Sequence, residues 1–269
     1  MTTTTINNKL ERDTHQPKKA GNTILRSASY ALSMSDHAGT HVDVPKHFDP
    51  SPGALSIDKM PIEDFYTEAI CLDLSYVELK ATISVKEMED ALTASGQEIK
   101  QGDTVLIYMA FNKRIPFDDP RWQHDFPGLS LEAVHWLADK GSRIFGVEAI
   151  SPAPEGEPNF QAHNACGKRG ITHIEGLDHL EKVVGQRFRF IGFPLRIRDG
   201  SGGPMRAVAL LERALQSYRP RPLPSPLQRY SRRTCFRRCC SIFDNGVPYR
   251  ISFNVNSSSF RIFRKYSVW

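Results

Sequence analysis

The sequence predicts an α/β protein: a single domain with a central, mostly β, sheet or barrel-like core flanked by helices, followed by a disordered basic tail. Strand-like apolar runs alternate with capped helical patterns up to about residue 212, as is typical of α/β folds. Of the 269 residues, 40% are hydrophobic and 24% are charged, which is the composition of an ordinary globular protein. The alternation ends near residue 212, so we expect the domain to end there.

Apolar runs bounded by turn-forming residues predict the strands in chain order. They lie at residues 22–35, 69–74, 104–109, 143–149, 171–174, 188–197 and 205–211. Pro194 interrupts its run and cannot donate a ladder hydrogen bond, which predicts a sheet edge or a bulge there. The glycine-rich residues 200–204 are expected to form a turn before the last strand.

Capping signals predict the helices. Ser84 and Glu87 stand three residues apart ahead of an apolar periodic stretch, which is a capping-box pattern, and Gly96 ends that stretch. Ser130 is placed to cap a second helix. Helices are therefore predicted over residues 84–95 and 131–140, with a short helical piece near residues 160–168.

The charge is distributed unevenly along the chain. Residues 213–269 hold 12 Lys and Arg and one acidic residue, for a net charge of +11, whereas residues 1–212 have a net charge of −6. We therefore predict a flexible N-terminal arm over residues 1–21, the domain over residues 22–212, and a disordered basic tail over residues 213–269. A nucleic acid or an acidic protein is an expected partner only through this tail. A shifted reading frame or a retained intron is the other interpretation of the tail.

The cysteines and the apolar runs predict a cytoplasmic location. Five cysteines are an odd number, three of them lie in the tail, and the N-terminus has no apolar signal segment, which argues against a disulfide framework. The apolar runs are too short to span a bilayer, so no membrane association is expected.

One short segment concentrates metal-binding side chains. His37, His41, Asp43 and His47 all occupy odd positions, so an extended chain would present them on one face. Four residues of strand span about 13 Å, however, so His37 and His41 could share a metal only if the chain bends between them. Gly39 is the residue able to bend there. A histidine and carboxylate ligand set suits Zn or Mn; a histidine-rich surface loop is the alternative.

The segment also resembles a known family. Residues 37–48 match the HxGTHxDxPxHF signature of the cyclase family, which includes bacterial-type kynurenine formamidases and isatin hydrolases. Residues 102–107 resemble its GDxVLI strand, residues 126–130 its FPGLS helix start, and residues 203–208 its closing strand. The family's usual opening strand, which places an aromatic side chain over the substrate, has no counterpart in residues 1–21.

The resemblance implies a swivelling β/β/α fold and a metal-dependent amidohydrolase that acts on an aryl formamide or a cyclic amide, such as N-formylkynurenine. In such an enzyme a metal-bound hydroxide attacks the carbonyl, and His47 acts as general acid/base. The implied cofactor is Zn, alternatively Mn, with two ions per chain, and the implied assembly is a homodimer. The implied metal ligands are His37, His41, Asp43, His163 and Glu175, with Asp43 shared between the ions.

Three other interpretations remain open beside this one. The chain could hydrolyse a lactam or a lactone, or it could close a ring as a cyclase of secondary metabolism. It could also be a degenerate, non-catalytic member that uses the basic tail as a binding arm. The remaining histidines are interpreted as having no role in the site: His124, His135, His173 and His179.

Overall fold

A computed structural model describes residues 11–13, 18–20, 23–25, 29–49, 51–211, 241–244 and 247–250. The chain divides into two compact units, residues 1–212 and residues 213–269. Most of the predicted arm and tail lies outside the described residues, so their predicted disorder stays a prediction.

Sixteen strands and five α-helices are described. The strands are β1 (Glu11–Asp13), β2 (Lys18–Ala20), β3 (Thr23–Leu25), β4 (Ser29–Ala31), β5 (His41–Asp43), β6 (Tyr66–Asp73), β7 (Thr82–Ile83), β8 (Thr104–Tyr108), β9 (Gly128–Leu129), β10 (Ile144–Val147), β11 (Thr172–Glu175), β12 (Arg187–Ile191), β13 (Gly202–Pro204), β14 (Val208–Leu210), β15 (Ser241–Asp244) and β16 (Val247–Arg250). The helices are α1 (Pro45–Phe48), α2 (Val85–Ser95), α3 (Phe111–Arg114), α4 (Leu131–Asp139) and α5 (Glu157–Arg169).

Eight strands form one mixed sheet in the order β13-β5-β11-β10-β8-β6-β12-β14. The four central strands β11, β10, β8 and β6 run parallel, and the strands on either side pair with them antiparallel. Helices α2, α4 and α5 connect the parallel strands in turn, as parallel pairing requires. The predicted α/β class with a central sheet is confirmed.

The core lies on both faces of this sheet, because side chains alternate along its strands. On β6, Ile70 and Leu72 are buried in the cluster that also contains helical side chains such as Met88 and Trp136. Their neighbours on β6 point to the other face, where Cys71 is buried with a second cluster. Both faces of the sheet are therefore covered, which fixes the carboxyl ends of its strands in place.

The predicted helix caps are present. Ser84 and Glu87 form both hydrogen bonds of the capping box at the start of α2, and Gly96 ends the helix in a left-handed conformation. Ser130 Oγ accepts a hydrogen bond from the backbone N–H of Ala133 at the start of α4. Helix α5 is longer than the predicted residues 160–168. No helix in the described part of the chain combines the length and the apolar character that a membrane crossing would need.

Two predicted elements differ from the structure. The single strand expected over residues 22–35 is instead the short strands β3 and β4, which pair with β2 and β1 respectively. The turn expected over residues 200–204 is wrong in part, because residues 202–204 form β13, an edge strand paired antiparallel with β5. Glycines are rare in strand interiors, which is why the sequence favoured a turn.

Candidate metal centre

Two adjacent strands supply four of the polar side chains at this site. His41 and Asp43 lie on β5, and His173 and Glu175 lie on the antiparallel neighbour β11. The register pairs Glu175 with His41 and His173 with Asp43. Residues two apart on a strand share a face, so the four side chains lie side by side.

A backbone bend brings His37 to the same place. Gly39 has a φ of +64°, in the left-handed region that a residue with a Cβ rarely adopts, which confirms the predicted bend. The hydroxyl of Thr40 donates to the carbonyl of Gly176 at 2.6 Å and so ties the bend to the end of β11. His37 and His41 ring centroids are consequently 5.0 Å apart.

Two helices complete the cluster. Pro45 ends the extended segment and occupies the first turn of α1, which carries His47. Helix α5 packs against α1 and carries His163, whose ring centroid lies 5.5 Å from that of His47. Phe48 stacks on His173 with ring centroids 5.9 Å apart, which restricts the orientation of that imidazole.

Asp43 is the centre of the cluster. Its side chain is 1% exposed, and five imidazoles lie around its two carboxylate oxygens. The nitrogen–oxygen distances are 2.7 Å to His37 Nδ1, 3.2 Å to His41 Nε2, 3.3 Å to His173 Nε2, 3.4 Å to His47 Nε2 and 3.7 Å to His163 Nε2. Glu175 joins the cluster 3.4 Å from His41 Nε2 and 3.2 Å from His173 Nε2. All six predicted site residues therefore lie together.

This arrangement fits a metal better than a network of hydrogen bonds. His41 Nε2 and Asp43 Oδ1 are buried without a hydrogen-bond partner, although each has a polar neighbour nearby. Two ligand atoms at tetrahedral positions around Zn lie roughly 3.3 Å apart, close to most of the distances around Asp43. Asp43, His163, His173 and Glu175 form one group with ligand atoms within 4.8 Å of one another, and His37, His41 and Asp43 form a second. The groups share Asp43, so the cluster could hold two ions.

The second nitrogen of two imidazoles is held by the backbone. His41 Nδ1 lies 2.9 Å from the carbonyl of Gly39, and His163 Nδ1 lies 2.8 Å from the carbonyl of Asn159. A carbonyl oxygen only accepts, so each Nδ1 carries a hydrogen, and in the neutral ring Nε2 presents a lone pair to the cluster. These backbone contacts orient both rings as metal-ligating histidines are usually oriented.

Mutual contacts shift the pKa values in the cluster. Burial acts to raise the pKa of Asp43, but the imidazoles around its carboxylate, those of His163 and His173 first, hold this pKa well below its usual range. Burial acts to lower the pKa of His173 and His41, yet the carboxylates beside them raise both. His47 differs, since burial and the neighbouring imidazoles outweigh Asp43 and lower its pKa to about 4. His47 is therefore a neutral base at neutral pH.

We expect metal binding to release protons and to be lost as the pH falls. A cation needs neutral imidazoles, whereas the raised pKa values of His41 and His173 keep these rings protonated to a higher pH than the ordinary value of 6.5. Calorimetric titration with Zn in two buffers of different ionisation enthalpy measures the effect. The heats should differ in proportion to the protons released, and identical heats would contradict the prediction.

Sequence reasoning missed one member of the cluster. His173 was expected to have no role in the site, but its side chain is fully buried and its Nε2 faces both Asp43 and Glu175. Its position two residues before Glu175 on a strand was the available signal, because such residues share a face. His124 and His179 belong to neither candidate metal group, and their lack of a role stays a prediction.

The chain is similar in sequence to known proteins. Residues 3–154 match the family model described as putative cyclase. A kynurenine formamidase of Bacillus mycoides is 32% identical over 179 residues, which cover 66% of this chain and 77% of that protein. A kynurenine formamidase of Erythrobacter litoralis is 29% identical over 177 residues, which cover 66% of this chain and 74% of that protein.

The fold is also similar to solved structures. Isatin hydrolase A from Ralstonia solanacearum aligns with a TM-score of 0.61 and 26% identity, over 76% of this chain and 81% of that chain. The family match covers more than half of the chain and includes the cluster residues on the bend, β5 and α1. This protein therefore belongs to the putative cyclase family.

Proposed function

We propose that this protein hydrolyses the carbon–nitrogen bond of an aryl formamide, with N-formylkynurenine as the first substrate to test. The observation that carries the proposal is the convergence of five imidazoles and Glu175 on the buried Asp43. Relatives named kynurenine formamidase support the substrate class. The broader class, a metal-dependent hydrolase of non-peptide carbon–nitrogen bonds, follows from the same relatives.

We propose two Zn or Mn ions that share the Asp43 carboxylate. His37 and His41 would complete the first site, and His163, His173 and Glu175 the second. A set of imidazole and carboxylate ligands suits either metal. Such an ion supplies Lewis acidity, which polarises the substrate carbonyl and lowers the pKa of a coordinated water.

His47 is proposed as the group that moves protons. Its Nε2 lies 3.4 Å from Asp43 Oδ2, and the side chain is 35% exposed, so it borders the cluster and remains open to a substrate. Because its pKa is near 4, Nε2 is free to accept a proton from the attacking water at neutral pH. The same atom then gives that proton to the leaving nitrogen, which departs as a neutral amine.

Cyclic amide hydrolysis is the second candidate. The similarity to isatin hydrolase A favours it, since the same ligands and the same proton carrier would serve a ring-opening reaction. Lactone opening, ring closure and a non-catalytic role with a binding tail have no specific observation in their favour.

A two-substrate assay tests the proposal. The protein, loaded with Zn or with Mn, is assayed by product formation from N-formylkynurenine and from isatin, beside a metal-stripped sample. We expect a larger kcat/KM for N-formylkynurenine and a loss of about 1,000-fold or more in turnover after stripping. A preference for isatin would favour cyclic amide hydrolysis as the function. Turnover of neither substrate by the metal-loaded protein would contradict the proposed hydrolase activity.

A further inference from the structure

His37 makes a second contact on the side of its ring away from the cluster. Its Nδ1 lies 2.7 Å from Asp43 Oδ1, and its Nε2 lies 2.8 Å from the hydroxyl oxygen of Ser201. Ser201 directly precedes β13, in the segment that the sequence had predicted to be a turn. His41 and His163 are held by backbone carbonyls, whereas His37 is held by a side chain, and a hydroxyl can either donate or accept.

Asp36 determines whether the hydroxyl of Ser201 donates to His37 or accepts from it. Asp36 Oδ2 lies 3.1 Å from Ser201 Oγ and also accepts the backbone N–H groups of Ser201 at 2.8 Å and Gly202 at 3.3 Å. An ionised carboxylate only accepts hydrogen bonds, so the hydroxyl of Ser201 donates its hydrogen to Asp36. Its oxygen is then left to accept a hydrogen from His37 Nε2.

The contact between His37 and Asp43 agrees with this direction. Asp43 Oδ1 has no hydrogen-bond partner despite lying 2.7 Å from His37 Nδ1, so Nδ1 is not placed to donate to it. A lone pair on Nδ1 toward the cluster is the form that binds a metal.

We propose that Asp36 and Ser201 are positioning residues that hold His37 with its hydrogen on Nε2 and its Nδ1 lone pair facing the cluster. Without them, the carboxylate of Asp43 would attract the hydrogen to Nδ1 and block that ligand atom. The benefit of this arrangement, metal binding by His37, rests on the proposed function. The position of the hydrogen on the His37 ring is a property of the metal-free protein.

Gly202 supports the same assignment. A Cβ added at Gly202 would lie 2.7 Å from His37 Cε1 and 3.0 Å from both ring nitrogens, so the imidazole packs directly on this backbone. The register pairs Gly202 with Asp43 on β5. The edge strand β13 therefore supplies both a surface for the ring and, just before it, the hydroxyl that orients the ring.

The test uses the full-length chain and has two readouts that do not depend on activity. Long-range proton–nitrogen NMR of the metal-free protein reports which nitrogen of His37 carries the hydrogen. Competition with a chelating dye reports the affinity for Zn. Ser201→Ala should shift the hydrogen toward Nδ1 and weaken Zn binding by about 10- to 100-fold, the usual cost of losing a partner of a ligating histidine.

Conservative variants and a matched control separate orientation from general damage. Ser201→Thr retains the hydroxyl and Asp36→Asn retains an accepting oxygen, so both should stay close to the unaltered protein, whereas Asp36→Ala should behave like Ser201→Ala. Ser84→Ala removes another hydroxyl that donates to a carboxylate, that of Glu87, at the start of helix α2, which packs against β6 and α4. It should change neither readout.

Two outcomes would overturn the inference: an unchanged ring state and Zn affinity in Ser201→Ala, or a hydrogen on Nδ1 of His37 in the unaltered protein. Failure of the unaltered protein to bind Zn would instead count against the proposed function. The NMR readout would still decide the inference in that case.

Discussion

The Asp43→Asn variant should bind no metal, and its turnover should be about 1,000-fold lower than that of the unaltered protein. The substitution keeps the shape of the side chain but removes the charge that faces five imidazoles. Both candidate metal groups contain this residue, so both sites lose a ligand together. The Lewis acidity of a metal contributes several kcal/mol to catalysis, and each factor of ten corresponds to about 1.4 kcal/mol. Elemental analysis and the formamide assay measure the two effects.

Asp103→Asn is the matched control for this prediction. Asp103 is also buried, and it accepts hydrogen bonds from Arg187 Nη1 and from the backbone of Lys100, away from the cluster. Its substitution should reduce stability but leave metal content and turnover unchanged in folded protein. Full activity and full metal content in Asp43→Asn would be incompatible with the shared carboxylate.

His47→Gln should keep the metal and reduce kcat by about 100- to 10,000-fold, the range for loss of a general acid/base. The proposed ions are held by other side chains, while the neutral Nε2 of His47 borders the cluster at its exposed side. Steady-state assays of the metal-loaded variant measure kcat, and elemental analysis measures the metal content.

His124→Gln controls for the loss of an imidazole as such. His124 is an exposed histidine beside Glu155 and belongs to neither candidate metal group, so the change should have no effect. Loss of metal in His47→Gln would show that His47 is a ligand, and unchanged kcat would show that another group carries the proton.

The sequence predicted the local parts of this site better than the parts that depend on strand pairing. The bend at Gly39 and the helix caps at Ser84 and Ser130 depend on neighbours a few residues away, and all three are present. His173 shares a strand face with Glu175, which was the local signal, but its approach to Asp43 arises from the pairing of β11 with β5, across 130 residues of sequence.

The edge strand β13, near the end of the domain, likewise depends on strand pairing. Residues 202–204 form an edge strand because β5 offers a free side for pairing, although glycine and proline favour a turn locally. The contacts of Ser201 and Gly202 with His37 follow from that pairing and could not be read from the local sequence. The homodimer, the cytoplasmic location and the disordered tail stay predictions.

The metal content of the purified protein tests the central claim most directly. Elemental mass spectrometry is applied to the unaltered protein and to Asp43→Asn after reconstitution with Zn or Mn and removal of excess ion. The shared-carboxylate centre predicts about two ions per chain in the unaltered protein and almost none in the variant. An unaltered protein that retains no metal, or a variant that retains as much as the unaltered protein, would contradict it.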